Sequence, residues 1–312
     1  MAGRSFLKNR PPNLFIVGAP KCGTSALSYY LACHPDVFMS EKVGIKEPDF
    51  YSVDRDIPWR PVTSAADYEA IFSRAPSDAR YLGEASTSYL ESHVAIPNLL
   101  HDSPDARLIV MVRNPLDLVQ ALHNQRLKRG KEISSFSRAW ELQQARNEGR
   151  ELPRGVGFSN GDMLQYGRIA KMGEQLDRLY RTASNERIHV IVYDDFVASP
   201  GNEYARLLEW LGLRWDGRQR FPVVNPRQEF RSPRLEKLLQ YLRRIRTRVG
   251  IPGGLGVHAL INRFNGVEKR SPLDPDLRTR LCEYFVEDVA LLSDLLGRDL
   301  SGWLRSLKSE MP

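Results

Sequence analysis

A strand, a glycine loop and a helix near the N-terminus constrain the fold of this 312-residue chain more than any other feature. Residues 14–19 read LFIVGA, and residues 24–35 read TSALSYYLACHP. The short apolar run that ends at the glycine is typical of a buried parallel strand. The second segment predicts a helix that begins near Thr24 and ends before Pro35. This order of elements predicts the first strand–helix unit of a nucleotide-binding α/β domain.

The loop between strand and helix predicts an anion-binding site, because backbone N–H groups at a helix N-terminus attract negative charge. Gly18 and Gly23 have the spacing found in triphosphate-binding loops, but Thr24 follows Gly23 directly. In triphosphatases a lysine follows the second glycine and contacts the outer phosphates. Here the lysine is Lys21, inside the loop, which favours a single phosphate that carries a second anionic group. A glycine turn with only a structural role is the alternative.

Three further segments predict strands. ARLIVMV at 106–112 and RIHVIVY at 187–193 are apolar enough for buried strands, and RYLGEAS at 80–86 is a weaker candidate. Between them, apolar residues recur every three or four positions from Ile169 to Leu179 and from Tyr204 to Leu211, which predicts amphipathic helices. Alternating strands and helices predict an α/β fold with a central parallel sheet and flanking helices.

The C-terminal third predicts helices only. Residues 231–248 place leucines on one face and arginines on the other, and GIPGGLG at 250–256 predicts a flexible break. A long amphipathic helix follows, with Asp274 as its N-cap and Gly297 at its end.

Composition limits the size and the class of the protein. The formal net charge of +7 predicts anionic partners, although a basic soluble protein without such partners is the alternative. Three cysteines without metal spacing favour a reducing compartment. There is no secretory signal pattern and no run of the roughly 18 apolar residues that span a bilayer, so we expect a soluble, cytoplasmic protein. We expect one domain over residues 1–312, with a core at roughly 12–215, helix and loop at 125–165, and a helical C-terminal part at roughly 230–312.

Two motifs resemble those of the sulfotransferases that use 3′-phosphoadenosine 5′-phosphosulfate (PAPS). PKCGTSAL at 20–27 resembles the loop of that family that binds the 5′-phosphosulfate, and VRNPLDLVQAL at 112–122 resembles its 3′-phosphate segment, with its Arg-x-Pro signature after a strand. Similarity continues through GEASTSYL, VIVYDDFVASP and LGRDLSGWL, and is greatest to bacterial and heparan-type carbohydrate sulfotransferases. The resemblance implies PAPS as the sulfuryl donor, no required metal, and a small-molecule, carbohydrate or lipid acceptor.

The resemblance also assigns the donor site. Lys21 corresponds to the lysine that stabilises charge on the bridging oxygen as the sulfuryl group leaves. Arg113, at the end of a predicted strand, corresponds to the arginine that binds the 3′-phosphate. The residues that match the 5′-phosphate loop are Cys22, Gly23, Thr24, Ser25 and Ala26.

The chain departs from the family within the 3′-phosphate segment. Ala121 stands where the family has a serine, and Leu118 stands where it often has an arginine. One hydrogen bond to a charged phosphate is worth roughly 1.5–3 kcal/mol. We therefore expect weaker binding of the 3′-phosphate, unless His123 or Arg126 substitutes.

Four residues are predicted to act on the acceptor side. Glu47, in KEPDFY, matches the glutamate that deprotonates the acceptor in heparan-type relatives. A surface ion pair between Lys46 and Glu47 is the alternative. Glu84, Ser86 and Tyr89 match a segment near the acceptor, and we expect them to line its pocket.

Two other functions stay open on the sequence. Asp194 ends an apolar strand and could hold Mg²⁺ in a P-loop kinase or triphosphatase, although the lysine expected after the second glycine is missing. The arginine-rich face at 231–248 could contact a membrane surface or nucleic acid, or be solvated. Because no nucleic-acid motif accompanies that face, we expect no nucleic-acid partner.

Overall fold

A five-stranded parallel sheet forms the centre of the computed structural model, which describes residues 10–153, 161–224 and 273–305. The strands are β1 Leu14–Gly18, β2 Val37–Met39, β3 Tyr81–Glu84, β4 Arg107–Val112 and β5 Ile188–Val192. Their order across the sheet is β2-β3-β1-β4-β5. The predicted α/β fold with a central parallel sheet is confirmed. The sequence analysis missed β2, because three residues are too few to show a hydrophobic period.

Helices flank the sheet. Their bounds are α1 Thr24–Ala32, α2 Ala65–Phe72, α3 Ala95–Asp102, α4 Pro115–Lys128, α5 Phe136–Glu141, α6 Gln143–Asn147, α7 Tyr166–Ala170, α8 Met172–Thr182, α9 Tyr193–Ala198, α10 Pro200–Leu211 and α11 Pro275–Leu296. Single 3₁₀ turns lie at Ser40–Val43, Asp162–Leu164, Asn185–Arg187 and Ser301–Trp303.

Strand β1 is the structural centre of the sheet. All five of its residues are buried, and it pairs with β3 on one side and β4 on the other. Since every strand runs in the same direction, the carboxyl ends of β1, β3, β4 and β5 meet at one edge. Ligands bind at this edge in open α/β sheets, so the residues that follow these strands define the candidate site.

The predicted helix from Ile169 to Leu179 is divided in two. Lys171 separates α7 from α8, and α8 begins without a cap from its own neighbours. Its N-terminus is instead capped by Asp288 of α11, whose carboxylate accepts N–H bonds from Gly173 at 3.1 Å and Glu174 at 2.9 Å. A distant carboxylate therefore completes this helix start, which local sequence patterns do not show.

The C-terminal helix agrees with its predicted limits. Helix α11 begins at Pro275, directly after Asp274, and Gly297 follows its last residue with a left-handed φ of 59°. Glycine adopts this conformation without the steric cost that a side chain adds.

The contacts of the chain form two compact units, Met1–Val224 with Asp276–Pro312, and Asn225–Pro275. The second unit lies almost entirely outside the described residues, and so do the predicted arginine-rich face at 231–248 and the break at 250–256. The predicted single domain therefore stays a prediction. Among the helices that the structure describes, each is too short or too polar to cross a bilayer.

Candidate active site

The glycine loop connects β1 to α1 at the carboxyl edge of the sheet. Its backbone turns through two left-handed residues, Lys21 at φ 65° and Gly23 at φ 90°. A Cβ atom at Gly23 would lie 3.3 Å from side-chain atoms of Met111 and Tyr193, so the space there is tight, and the left-handed backbone favours glycine. At the start of α1 the N–H groups of Thr24 and Ser25 precede the first hydrogen bond of the helix, since the N–H of Ala26 already donates to the Gly23 carbonyl at 2.9 Å. The loop and the helix start can therefore offer backbone donors to an anion.

The other loop residues predicted to bind phosphate lie in the same turn. Thr24 and Ala26 are buried and Ser25 is partly exposed. Cys22 is wholly buried, and burial raises the pKa of its thiol to about 12. The thiol is thus neutral at physiological pH, and what Cys22 can offer a ligand is its backbone N–H.

Lys21 is surrounded by like charge. Burial is the main reason that the pKa of its amine falls to about 8, and three neighbouring cations lower it further. Those cations are Arg129, Arg113 and Lys128, whereas the carboxylate of Glu47 raises the pKa. Lys21 stays mostly protonated at pH 7, in a place where positive charge exceeds negative charge. Such a site favours an anionic ligand.

Arg113 holds the loop in this shape. Its Nη1 donates to the carbonyl oxygen of Lys21 at 2.8 Å, and its guanidinium carbon lies 4.3 Å from the centre of the Tyr193 ring. Its Nη2 is 3.9 Å from the carboxylate of Asp117. The Nε is buried without a hydrogen-bond partner among the described residues. Arg113 can therefore order the loop and still donate to a further acceptor, such as a phosphate oxygen.

Glu47 lies beside the loop and close enough to Lys21 to raise its pKa. Lys46 Nζ contacts Glu47 Oε1 at 2.8 Å, so the alternative ion pair does form. The same Nζ lies 3.3 Å from the carbonyl oxygen of Ala85, just past β3. Because the Glu47 side chain is 42% exposed, its carboxylate is accessible to a ligand in spite of the ion pair. Its role as the base stays a prediction.

Glu84 is the centre of a buried hydrogen-bond network. Tyr68 and Tyr89 each donate a hydroxyl hydrogen bond to its Oε1 at 2.7 Å, and the hydroxyl of Ser86 donates to its Oε2. Ser86 Oγ also accepts the N–H of Asp49 at 2.8 Å. Burial raises the pKa of Glu84 to about 7, against the opposing effect of the three hydrogen bonds.

This placement corrects the prediction that Glu84, Ser86 and Tyr89 line the acceptor pocket. All three side chains are 0% exposed, and their polar atoms bond to one another and to neighbouring backbone. Glu84 is the last residue of β3 and lies within the core. The three residues instead support the backbone that follows Glu47, where Ser86 accepts the N–H of Asp49.

Three residues near Lys21 and Glu47 were not singled out from the sequence. Asp49 is buried at a left-handed φ of 53° and accepts a hydrogen bond from Ser88 at 2.6 Å. Burial raises the pKa of Asp49 to about 6. Lys128 and Arg129 act on Lys21 from the end of α4. The charge cluster RLKRGKE at 126–132 was the available signal for the latter two.

The two positions at which the 3′-phosphate segment departs from the family pattern carry apolar side chains on α4. Ala121 and Leu118 are both buried, and neither can donate to a phosphate. His123 is also buried, with its Nε2 3.0 Å from the carbonyl oxygen of Ser134, and burial lowers its pKa. That nitrogen is therefore already engaged with the backbone.

The acidic residues of the magnesium alternative already have partners. Asp194 Oδ2 accepts from Trp303 Nε1 at 2.9 Å, and Asp195 pairs with Arg298. Both carboxylates lie in the first turn of α9. Among the described residues, no group of three histidine, cysteine or acidic side chains is placed to hold a metal ion. The engagement of Asp194 by Trp303 opposes a magnesium-binding role.

A family model for the sulfotransferase domain matches residues 11–291 of the chain. The chain belongs to the sulfotransferase family. The resemblance read from the two motifs is thereby confirmed.

Relatives and solved structures agree with this assignment. The chain is 29% identical over 211 residues to the mouse heparan sulfate glucosamine 3-O-sulfotransferase 6, a match that covers 66% of this chain and 54% of the mouse protein. It thus spans about half the length of that relative. The fold is similar to that of a sulfotransferase from Alicyclobacillus acidocaldarius, with a TM-score of 0.68 and 24% identity over 95% of this chain and all of the other. A structure of mouse sulfotransferase SULT7A1 complexed with PAP has a TM-score of 0.50 and 12% identity, covering 98% of this chain and 92% of that one.

The network around Glu84 gives this sulfotransferase a specific pH dependence of stability. Between its ordinary pKa of 4.5 and its folded pKa of about 7, Glu84 binds a proton that the unfolded chain releases. The free energy of unfolding should therefore fall as the pH rises through this range, by about 3 kcal/mol from this group. Glu84→Gln cannot titrate and should lose that part of the dependence.

Urea unfolding at pH 5 and pH 8, followed by tryptophan fluorescence, measures this effect. The matched control is Glu209→Gln, because Glu209 is exposed on α10. If the free energy of unfolding changed equally between pH 5 and pH 8 for wild type and Glu84→Gln, the expectation would be contradicted.

Proposed function

We propose that this chain transfers a sulfuryl group from PAPS to a hydroxyl or amine of an acceptor and releases adenosine 3′,5′-bisphosphate. The observation that carries the proposal is the position of Lys21 inside the glycine loop, beside Arg113 and within electrostatic reach of Glu47. These three residues follow different strands and meet at the carboxyl edge of one sheet. Family membership supports the same reaction.

The residues present suit a donor with separated phosphates. The N–H groups of the loop and the hydroxyls of Thr24 and Ser25 can donate hydrogen bonds to the 5′-phosphosulfate. Arg113 offers its guanidinium for the 3′-phosphate, with an Nε that has no partner among the described residues. PAPS would supply the activated sulfuryl group, whose bond to the bridging oxygen is the one that breaks.

The chain's own residues would move one proton and balance one charge. Glu47 takes the proton from the attacking hydroxyl or amine, so that a new bond from its oxygen or nitrogen to sulfur can form. The bond between sulfur and the bridging oxygen breaks, and its electron pair stays on that oxygen. Lys21 neutralises the negative charge that develops there.

We further propose a small-molecule or carbohydrate acceptor and a cytoplasmic location. The acceptor class is supported by the relative named for heparan sulfate glucosamine. The location is supported by the three cysteines, which lack metal spacing and favour a reducing compartment.

Calorimetry with adenosine 3′,5′-bisphosphate tests the donor site without knowledge of the acceptor. We expect it to bind more tightly than ATP and without Mg²⁺. Arg113→Ala should weaken binding by about 10- to 100-fold, since it removes both a phosphate donor and the bond to the Lys21 carbonyl. Arg187→Ala, which removes an exposed pair with Asp105, is the control. Preferential binding of ATP with Mg²⁺ would refute the proposal.

Glu47→Gln tests the base. We expect turnover to fall about 10²- to 10⁴-fold, with unchanged affinity for the bisphosphate, because an amide cannot take the acceptor proton. The readout is the transfer of labelled sulfuryl from PAPS to a panel of sugars, phenols and amines. Lys46→Gln is the matched control, since it breaks the same ion pair and keeps the carboxylate. Similar losses in both variants would show that only the ion pair matters.

A further inference from the structure

Among the described residues, one buried arginine has no counterion in contact with its side chain. The described arginines that are at least nine-tenths buried are Arg55, Arg113, Arg126 and Arg146. Arg146 forms a two-bond contact with Glu132, Arg55 pairs with Glu91, and Arg113 donates to a carbonyl. Arg126 is only 4% exposed, yet within the described part of the chain its Nε has no hydrogen-bond partner and its side chain forms no ion pair.

Arg126 instead shares an aromatic ring with a second cation. Its guanidinium carbon lies 5.3 Å from the centre of the Trp59 ring, and Lys131 Nζ lies 4.9 Å from the same point. The backbone keeps the two cations together, because Lys131 and Glu132 donate their N–H groups to the carbonyl of Arg126 at 2.8 and 3.2 Å. Glu132 is itself fixed by the buried pair with Arg146. The two charges are therefore held in place as a unit.

This arrangement is electrostatically unfavourable in the free protein. Burial lowers the pKa of Arg126 to about 10, although Tyr166, Glu47 and Glu91 act to raise it. Burial and the charge of Arg126 lower the pKa of Lys131. Contact with a ring face offsets only part of the free energy needed to remove a guanidinium from water. An anion that entered between the cations would supply the missing counterion, as Glu132 does for Arg146.

Arg126 is also within electrostatic range of the proposed base. The carboxylate of Glu47 raises the pKa of both Lys21 and Arg126, so it is within electrostatic range of both side chains. This shared carboxylate links the cluster of Arg126, Lys131 and Trp59 electrostatically to the proposed base.

We propose that Arg126 and Lys131, set on the ring of Trp59, bind an anionic group of the acceptor. The protein would then select acceptors that carry a carboxylate, sulfate or phosphate beside the group that is sulfated. This inference rests on the proposed sulfotransferase function and makes Arg126 and Lys131 specificity-determining residues. A purely structural stacking of Arg126 on Trp59 is the rival explanation, which predicts an effect on stability and none on acceptor choice.

The test measures binding of matched saccharides to the full chain after its donor site has been saturated with adenosine 3′,5′-bisphosphate. One pair is a heparosan hexasaccharide, which carries carboxylates, and the same hexasaccharide with its carboxylates reduced to alcohols. The other set consists of three forms of one dextran oligosaccharide. The first has no esters, the second carries sulfate esters and the third carries phosphate esters. Calorimetry compares wild type with Arg126→Gln, Lys131→Gln and the control Arg181→Gln, whose exposed side chain pairs with Asp177.

We expect wild type to bind at least one anionic probe about tenfold or more tightly than its neutral counterpart. Arg126→Gln should weaken the binding of that probe by about 10- to 100-fold and leave the affinity for the neutral probe unchanged, because only the charged contact is lost. Lys131→Gln should have a smaller effect in the same direction, and Arg181→Gln should have none.

Two results would overturn the inference: no anionic probe binds wild type better than its neutral counterpart, or Arg126→Gln loses no more affinity than Arg181→Gln. If circular dichroism shows that Arg126→Gln does not fold, Lys131→Gln decides, and an unchanged preference in that variant contradicts the inference. Failure of the bisphosphate itself to bind would refute the proposed function, and this inference with it. Bisphosphate binding without any anionic preference would refute the inference alone.

Discussion

The hydrogen bond from Arg113 to the carbonyl of Lys21 joins the two strand ends on which the site is built. Arg113 directly follows β4, and Lys21 lies in the loop that follows β1. Lys21 has a left-handed backbone that a lysine seldom adopts, so the loop needs such an outside contact to keep its shape. The same guanidinium keeps a buried Nε without a described partner. One side chain thus orders the loop and adds to its affinity for anions.

Charge around this contact is distributed unevenly. Arg113, directly after β4, and two cations at the end of α4 lower the pKa of Lys21, and Glu47 is the carboxylate that opposes them. Two other acidic side chains, Asp49 and Glu84, are buried close by with raised pKa values. When these two are protonated they add no negative charge to the site. An anionic donor and an anionic acceptor group would both relieve the repulsion among the cations.

The sequence contained the elements on which this site depends. The strand and helix around the glycine loop, the strand before Arg113 and the end of α11 at Gly297 were all predictable, since each has a local pattern of apolar residues and glycine. Motif spacing likewise placed Lys21 and Arg113 at one edge of the sheet.

Contacts between distant segments were not predictable. No local pattern shows that Asp288 caps α8, that Trp303 bonds to Asp194, or that Arg126 and Lys131 share the ring of Trp59. Glu84 was assigned to a pocket wall because a motif gives the residue type and the segment but not the direction of the side chain. The strand β3 turns that carboxylate into the core, where three hydroxyls bind it.

The central claim is that the charge of Lys21, inside the loop, binds the anionic end of the donor. The most direct measurement is the affinity for adenosine 3′,5′-bisphosphate between pH 7 and pH 9.5. For wild type the affinity should fall as the pH rises past about 8, where free Lys21 loses its proton. Lys21→Arg stays charged and should show no such fall, and Lys21→Met should bind weakly at every pH. A wild-type affinity that is constant over this range, or an equal fall in Lys21→Arg, would contradict the account.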